Sequence, residues 1–412
     1  MIRDIVWACI ACGVEGALDD AGTCRSCGAQ YRRGRGADIL VNGKPYQPRE
    51  IVKLLPHAGS TGKAHVVLRE SAGDKPVHAL GQYLGKVEVL GEPRAAQVTL
   101  DAAMLRIAPA AGATIDIPLI DITAIQPSSH TLQIKSRGRA VLSLRFTASS
   151  PKLWEERLQH ALADAYQRAG QGSVVEYQPR VCTRRAASSD GTATRIRNLV
   201  KQGFDKRPHA PWQTRLCKWI ARNAWRRFGG GVSVEGLEHI PERGPFLVLP
   251  NHQSYLETML VPAVISRPLY PMAKSTQFSA PLVGWLMARL LTFPVRRFEI
   301  DPQAVRFMLR RFGEGYGALI FIEGERTWDG DVQAMRHGAV RLALKAGVPV
   351  IPCRVSGAFE AWPRWSSWPQ RHPVRISFER PLDLPVAATR GECEAQLEPA
   401  MAMIHDALAG RV

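Results

Sequence analysis

The chain has 412 residues, 45% of them hydrophobic, and carries 54 Lys or Arg against 37 Asp or Glu, a formal net charge of +17. That length suggests two to four domains with ample material for buried cores. The charge is unevenly spread: Arg180 to Arg227 holds 13 Lys or Arg against 2 Asp, a net of +11, which marks an anionic partner, either nucleic acid or an acidic membrane surface.

At the start of the chain, Arg3 and Asp4 precede only a short apolar run before Cys9, which is not the pattern of a secretory signal. Cys9, Cys12, Cys24 and Cys27 form two C-x-x-C pairs, each followed by glycine (Gly13 and Gly28). Four thiolates at tetrahedral reach make Zn²⁺ the expected occupant in a reducing compartment, with two disulfides or a rubredoxin-like iron site as the alternatives. A segment of about thirty residues cannot bury enough surface to fold without metal, so a structural zinc ribbon is expected over residues 1–35. Cys182, Cys217, Cys353 and Cys393 are scattered.

Residues 36–169 read as a β-rich module. Short strands with partial alternation are expected at Val98–Asp101, Met104–Ile107, Ile115–Ile117, Leu132–Lys135 and Val141–Phe146. Ser150-Pro151 is an N-cap followed by proline at the first helical position, and Leu153, Trp154, Leu158 and Leu162 continue at helical spacing. Strands closed by one C-terminal amphipathic helix resemble, in architecture alone, a pleckstrin-homology or GRAM-type module.

Residues 170–211 lack sustained periodicity and read as a basic linker. From Trp212, the cations Arg215, Lys218, Arg222 and Arg226 fall within an arc of about 80°, while Trp212, Leu216, Trp219, Ile220 and Phe228 fill much of the remainder. A narrow cationic stripe beside a Trp-bordered apolar face is the pattern of a helix in the membrane interface; a helix packed on the next domain with a solvated basic face is the alternative. The stretch Phe278 to Val295 contains Arg289 and is broken by Pro281 and Pro294, so it is expected as a buried or interfacial helix and not as a span of roughly 20 apolar residues.

From Val232 onward strands and helices alternate. The apolar strand Phe246–Pro250 delivers Asn251 and His252, Ala318–Ile322 delivers Glu323 and Gly324, and Val348–Pro352 is a third such strand. Ligands of α/β sheets bind beyond the carboxyl ends of strands, so the two loops point to one site. His252 precedes Glu257 by five residues, roughly 140° around a helix, so the pair meets only if His252 lies in the turn before a helix and Glu257 reaches back from its first turn. A carboxylate would then hold one ring nitrogen while the other accepts a proton. Near the end of the domain, Trp362, Trp365 and Trp368 lie among prolines, a context that suggests some of them sit at a lipid interface.

At these residues the chain resembles the glycerolipid acyltransferases of the 1-acyl-glycerol-3-phosphate acyltransferase family, over roughly residues 212 to 385. Asn251-His252-Gln253-Ser254-Tyr255-Leu256-Glu257 is similar to the first family block, N-H-x-x-x-x-D, with Glu257 in place of aspartate. Phe293-Pro294-Val295-Arg296-Arg297 looks like the second. Phe321-Ile322-Glu323-Gly324-Glu325-Arg326-Thr327 resembles the third, F-P-E-G-T-R-S, with Ile322 and Glu325 as substitutions, and Val348-Pro349-Val350-Ile351-Pro352 resembles the fourth. The resemblance implies His252 as general base, Glu257 as its orienting carboxylate, and Arg297 and Arg326 as phosphate ligands. It further implies Lys274 near the acceptor, Glu323 holding acceptor hydroxyls or bracing the loop, and Gly324 permitting close approach of the ligand.

The expected whole is multidomain: zinc ribbon, β-rich module, basic linker, and an α/β acyltransferase domain over residues 212–412. It would move a fatty acyl group from acyl-CoA or acyl carrier protein to a lysophospholipid in phospholipid biosynthesis or remodelling, on the cytoplasmic face of an anionic membrane. The contending expectation is a nucleic-acid-binding or membrane adaptor protein with a degenerate acyltransferase domain. Met1 to Gly28 holds only Arg3 and Arg25 as basic residues, a poor phosphate-binding surface, so nucleic acid is not the expected partner.

Overall fold

The structure, a computed structural model, describes residues 1–79, 82–128, 130–178, 180–183, 211–279, 281–295, 301–387 and 389–410. Its N-terminal part is a cysteine-rich loop region followed by a three-stranded antiparallel sheet, β1 (Tyr31–Arg33), β2 (Ile39–Val41) and β3 (Lys44–Tyr46), and by helix α1 (Pro48–Leu54). The sheet runs past residue 35, where the sequence suggested that the ribbon ends. Ile5, Val6, Tyr31, Ile39 and Ile51 form its core, and Trp328 and Trp365 from the far end of the chain complete that core. Trp365 is 2% exposed, which removes it from the tryptophans available to a lipid surface, whereas Trp368 is 79% exposed.

The β-rich module contains β4 (Gly62–Ala79), β5 (Gln82–Leu90), β6 (Arg94–Leu100), β7 (Met104–Pro109), β8 (Ile115–Pro118), β9 (Ile122–Pro127), β10 (Thr131–Ser136) and β11 (Leu142–Phe146). They form one antiparallel sheet in the order β8-β7-β6-β4-β11-β10-β9, with β5 paired to the distal half of β4. Helix α2 (Pro151–Arg168), capped by Ser150 whose side chain accepts from the Leu153 amide, lays Trp154, Leu158, Ala161 and Leu162 on the sheet. The β4–β5 hairpin reaches the following domain: Leu84 is buried in that domain's core. At Gly85 (φ +149°) a Cβ would lie 2.7 Å from Pro294 Cγ, so this close approach admits only glycine.

Part of the expected linker is ordered. Strands β12 (Val174–Glu176) and β13 (Cys182–Thr183) form a short hairpin. Helix α3 (Trp212–Ala224) leads into the last domain, where β14 (Val232–Glu235), β15 (Phe246–Pro250), α4 (Leu256–Val264), β16 (Leu269–Lys274), α5 (Pro281–Arg289), β17 (Phe293–Val295), α6 (Pro302–Gly313), β18 (Gly317–Leu319), α7 (His337–Ala346), β19 (Val350–Ser356), α8 (Ala358–Ala361), β20 (Val374–Phe378) and α9 (Arg390–Leu408) follow. The sheet order is β14-β20-β19-β15-β18-β16-β17, parallel throughout except between β19 and β20. Central β15 is buried at every position, as a parallel strand covered on both faces requires. Leu247 and Leu249 join the core under α6, α7 and α9, and Phe246 and Val248 join the opposite core under α4.

Lys218 departs from the expected cationic stripe. Only 5% exposed, its ammonium donates to the Ile265 and Arg267 carbonyls at 2.8 and 3.0 Å, just past the C-terminal end of α4, where the helix dipole favours a cation. Burial lowers its pKa to about 8. The exposed face of α3 consists of Arg215 and Arg222 with Trp212, Leu216, Trp219 and Ile220. Among the described residues, no helix is long and apolar enough to cross a membrane.

Candidate active site

Two loops at the carboxyl ends of β15 and β18 are knitted together by backbone. Asn251 latches the end of β15 to β19: its amide nitrogen donates to the Val355 carbonyl at 3.0 Å, and its oxygen accepts from the Val355 N–H at 2.7 Å. The His252 amide donates to Glu323 Oε1 at 2.7 Å, and the His252 carbonyl accepts from the Thr327 amide at 2.9 Å. Glu323 Oε2 accepts from the Gln333 amide at 2.8 Å, so this carboxyl braces the second loop and does not line the cavity described below. Burial pushes Glu323 up to about 8, against the pull of those two amides, which favour its ionised form.

His252 lies in the turn before α4 and Glu257 in its first turn. Nδ1 of the imidazole and Oε1 of the carboxylate are 2.8 Å apart, and the same oxygen accepts from the Ser254 amide at 2.6 Å. Glu257 is fully buried and His252 is 7% exposed, its ring stacked on Phe321 at 4.0 Å. With Nδ1–H donating to the carboxylate, Nε2 is the proton-accepting nitrogen of the ring. The glutamate therefore makes, one methylene longer, the contact that its spacing demands.

His252 opens on a cavity of about 590 Å³, a size suited to a small-molecule or lipid ligand. Its polar wall includes Lys274, Glu325, Arg326 and Arg364, and its apolar wall is α5, through Leu282, Val283, Leu286 and Met287, with Leu290 just past the helix end. Leu282 and Val283 are 77% and 44% exposed, so the apolar wall continues onto the surface. Arg326 is buried with its guanidinium 3.6 Å above the Tyr255 ring; desolvation, reinforced by Arg364, lowers its pKa to about 10, which leaves it charged at neutral pH. Glu325 accepts from Gln178 at 2.9 Å, Arg336 at 3.1 Å and Arg364 at 3.2 Å. Arg364 in turn donates to the Arg326 carbonyl at 2.8 Å and lies 4.0 Å over the Trp328 ring.

The structure thus brings His252, Lys274 and Arg326 to one cavity, with Glu257 buried behind the imidazole it holds. Gly324 (φ +72°) is a turn residue whose Cβ space faces Arg336 at 3.0 Å, not the cavity. Arg297 lies outside the described residues. Sequence reasoning missed Tyr255, Arg364 and Gln178. Tyr255 sits inside the first block and carried a signal; Arg364 and Gln178 stand in irregular stretches that offered none.

The four N-terminal cysteines lie with their sulfurs within 4.8 Å of one another; Cys9–Cys27 and Cys12–Cys24 are 3.6 and 3.7 Å apart. A tetrahedral ion with bonds of about 2.3 Å spaces its sulfurs by roughly 3.8 Å, so the cluster suits one metal ion. Tyr31 donates its hydroxyl to Cys9 Sγ at 3.2 Å, the kind of outer contact that orients a thiolate ligand.

Residues 231–356 match the model of a family described as Acyltransferase. The chain is 29% identical over 157 residues to the 1-acyl-sn-glycerol-3-phosphate acyltransferase LPAT1, chloroplastic, of Arabidopsis thaliana, covering 37% of this chain and 43% of that protein. It is 31% identical over 178 residues to a 1-acyl-sn-glycerol-3-phosphate acyltransferase of Pseudomonas aeruginosa, covering 39% of this chain and 66% of that one. A crystal structure of the 1-acyl-sn-glycerophosphate (LPA) acyltransferase PlsC from Thermotoga maritima is 24% identical, covers 47% of this chain and 79% of its own, and gives a TM-score of 0.37. The chain spans about half the length of the curated relatives it matches, 43% and 45% of the first two. From the strand that carries Val232 to the one that ends at Ser356, the C-terminal half of this chain carries a domain of the acyltransferase family.

Proposed function

We propose that this chain transfers a fatty acyl group from a thioester, acyl-CoA or acyl carrier protein, to the free hydroxyl of a lysophospholipid such as 1-acyl-glycerol-3-phosphate. The observation that carries this reading is the buried His252–Glu257 pair, 2.8 Å apart at the wall of a cavity that is cationic on one side and apolar on the other. Nε2 of His252 takes the hydroxyl proton as that oxygen attacks the thioester carbonyl. The tetrahedral intermediate collapses, the C–S bond breaks, and the thiolate leaves with the proton returned by the imidazolium, giving an ester and a free thiol. Glu257 fixes the tautomer and stabilises the imidazolium. Lys274 and Arg326 hold the acceptor's phosphate, with Arg297 as a further phosphate ligand by resemblance, and α5 receives the acyl chain. The names of the matched relatives support the acceptor class. Incubating the protein with acyl-CoA or acyl carrier protein and a panel of lysophospholipids, with mass-spectrometric detection of diacyl product and released thiol, tests this directly.

The cysteine cluster is read as a structural Zn²⁺ site, because four thiolates with tetrahedral spacing and no open position suit that ion. Together with Trp328 and Trp365 it forms the core beneath Arg364 and the 323–327 loop, so the metal would act on catalysis only by holding that loop. The exposed apolar residues of α3 and α5, flanked by Arg215, Arg222 and Arg226, support binding at an anionic membrane surface. The sheet closed by α2 supports a pleckstrin-homology or GRAM-like fold for the β-rich module.

A further inference from the structure

The cavity beside His252 is not built by the acyltransferase domain alone. Its wall includes Gln126, Pro127 and Ser128 at the end of β9, the edge strand of the β-rich sheet. On the neighbouring strand β10, Gln133 pairs in register with Gln126 and accepts a hydrogen bond from the ammonium of Lys274. Module and domain are tied again where the Trp328 indole donates to Glu155 of α2 at 3.1 Å. The two bodies therefore meet around the cavity.

Gln126 is 1% exposed, and neither its amide nitrogen nor its amide oxygen has a hydrogen-bond partner among the described residues. A buried carboxamide left this way is a net cost to folding that a leucine of similar volume would avoid. At a cavity wall the missing partners can come from a ligand. Gln126 is the register partner of the residue that holds Lys274, so the two glutamines leave the same face of the sheet, and Gln126 and Lys274 both line the cavity. A carboxamide gains nothing from added negative charge; it matches a neutral group that both donates and accepts.

Building on acyl transfer at His252, we infer that Gln126 of the β-rich module is a specificity residue for the acyl acceptor, hydrogen-bonding a hydroxyl or amide carried on the headgroup beyond the phosphate. The preferred acceptor is then a lysophosphodiester with a polyol or similar headgroup, not a bare phosphomonoester. A site built to hydrogen-bond a substrate group rejects the analogue that lacks it, because the protein's own polar atoms stay unpaired.

The test compares short-chain lysophosphatidylglycerol with short-chain lysophosphatidic acid on wild type and Gln126→Leu. Wild type should favour lysophosphatidylglycerol by about tenfold or more in kcat/KM, roughly what one net hydrogen bond to the substrate is worth. Gln126→Leu should erase that preference while leaving lysophosphatidic acid within about threefold, and its melting temperature should equal or exceed that of wild type, since an unpaired buried amide has gone. A lowered melting temperature, an equal loss on both acceptors, or a wild type without preference overturns the inference. If wild type acylates neither lipid, the acyl-transfer reading is what fails. Calorimetric binding of the same two lipids to both proteins then decides Gln126 by the same ratio.

Discussion

Removing the two exposed tryptophans of α3 tests the membrane-facing surface most cleanly, because neither lines the cavity. Trp212 and Trp219 are 62% and 56% exposed. An indole side chain of this class presents roughly 150–250 Å², so each leaves about 90–150 Å² in water, worth ~2–4 kcal/mol if transferred to hydrocarbon. A headgroup region dehydrates only part of that area, which sets the expected loss for Trp212→Ala/Trp219→Ala at about 2.7 kcal/mol, a 100-fold drop in vesicle partition coefficient. Flotation with phosphatidylglycerol-containing vesicles measures it, and acyl transfer to a monomeric short-chain acceptor should stay at the wild-type rate. A double variant that partitions like wild type would refute the assignment of α3 to the lipid surface, and the exposed Leu282 and Trp285 of α5 or Trp368 would have to carry it.

Other outcomes follow from the same contacts. Changing Arg215, Arg222 and Arg226 to Gln should weaken binding to anionic vesicles by about 1 kcal/mol per charge at low salt and leave neutral vesicles unaffected, with added salt mimicking the variant; Lys218 is left out because it is buried. Glu257→Gln, which keeps the shape of the contact but removes its charge, should lower kcat by about 10²–10⁴-fold, measured with saturating thioester. The protein should bind about one Zn²⁺ per chain, read by elemental analysis, and Cys24→Ser/Cys27→Ser should lose it and expose Trp328 and Trp365 to fluorescence quenchers. Glu323 is raised to about 8 in the fold from an ordinary 4.5, so the native state binds the extra proton. Stability from this group is present below about pH 4.5 and is lost as pH rises to about 8, and Glu323→Gln should flatten that part of the urea-unfolding profile.

The catalytic half of the fold was legible because its strands are unbroken apolar runs ending in the polar residues they deliver: Phe246–Pro250 into Asn251-His252, and the run ending at Ile322 into Glu323-Gly324. The pairing of His252 with Glu257 could be stated as a geometric condition from spacing alone. What stayed hidden depends on contacts between distant segments. Lys218 looks like one cation of a surface stripe until α4 offers it two carbonyls. Trp365 reads as an interfacial aromatic until the cysteine cluster closes over it. The β4–β5 hairpin escaped notice because Gly73, Gly85 and alternating charges break its apolar pattern, and Gly85 is explained only by Pro294 of another domain. Gln126 carried no signal at all, since a glutamine in a strand is unremarked until both its neighbours and its lack of partners are seen.

The central claim, that His252 is the base of an acyl transfer, is tested most directly by His252→Ala assayed for acyl transfer from a radiolabelled thioester to a lysophospholipid, alongside its melting temperature. The account predicts a fold that melts close to wild type and a rate lower by about 10²–10⁴-fold. Wild-type turnover by the folded variant would contradict it.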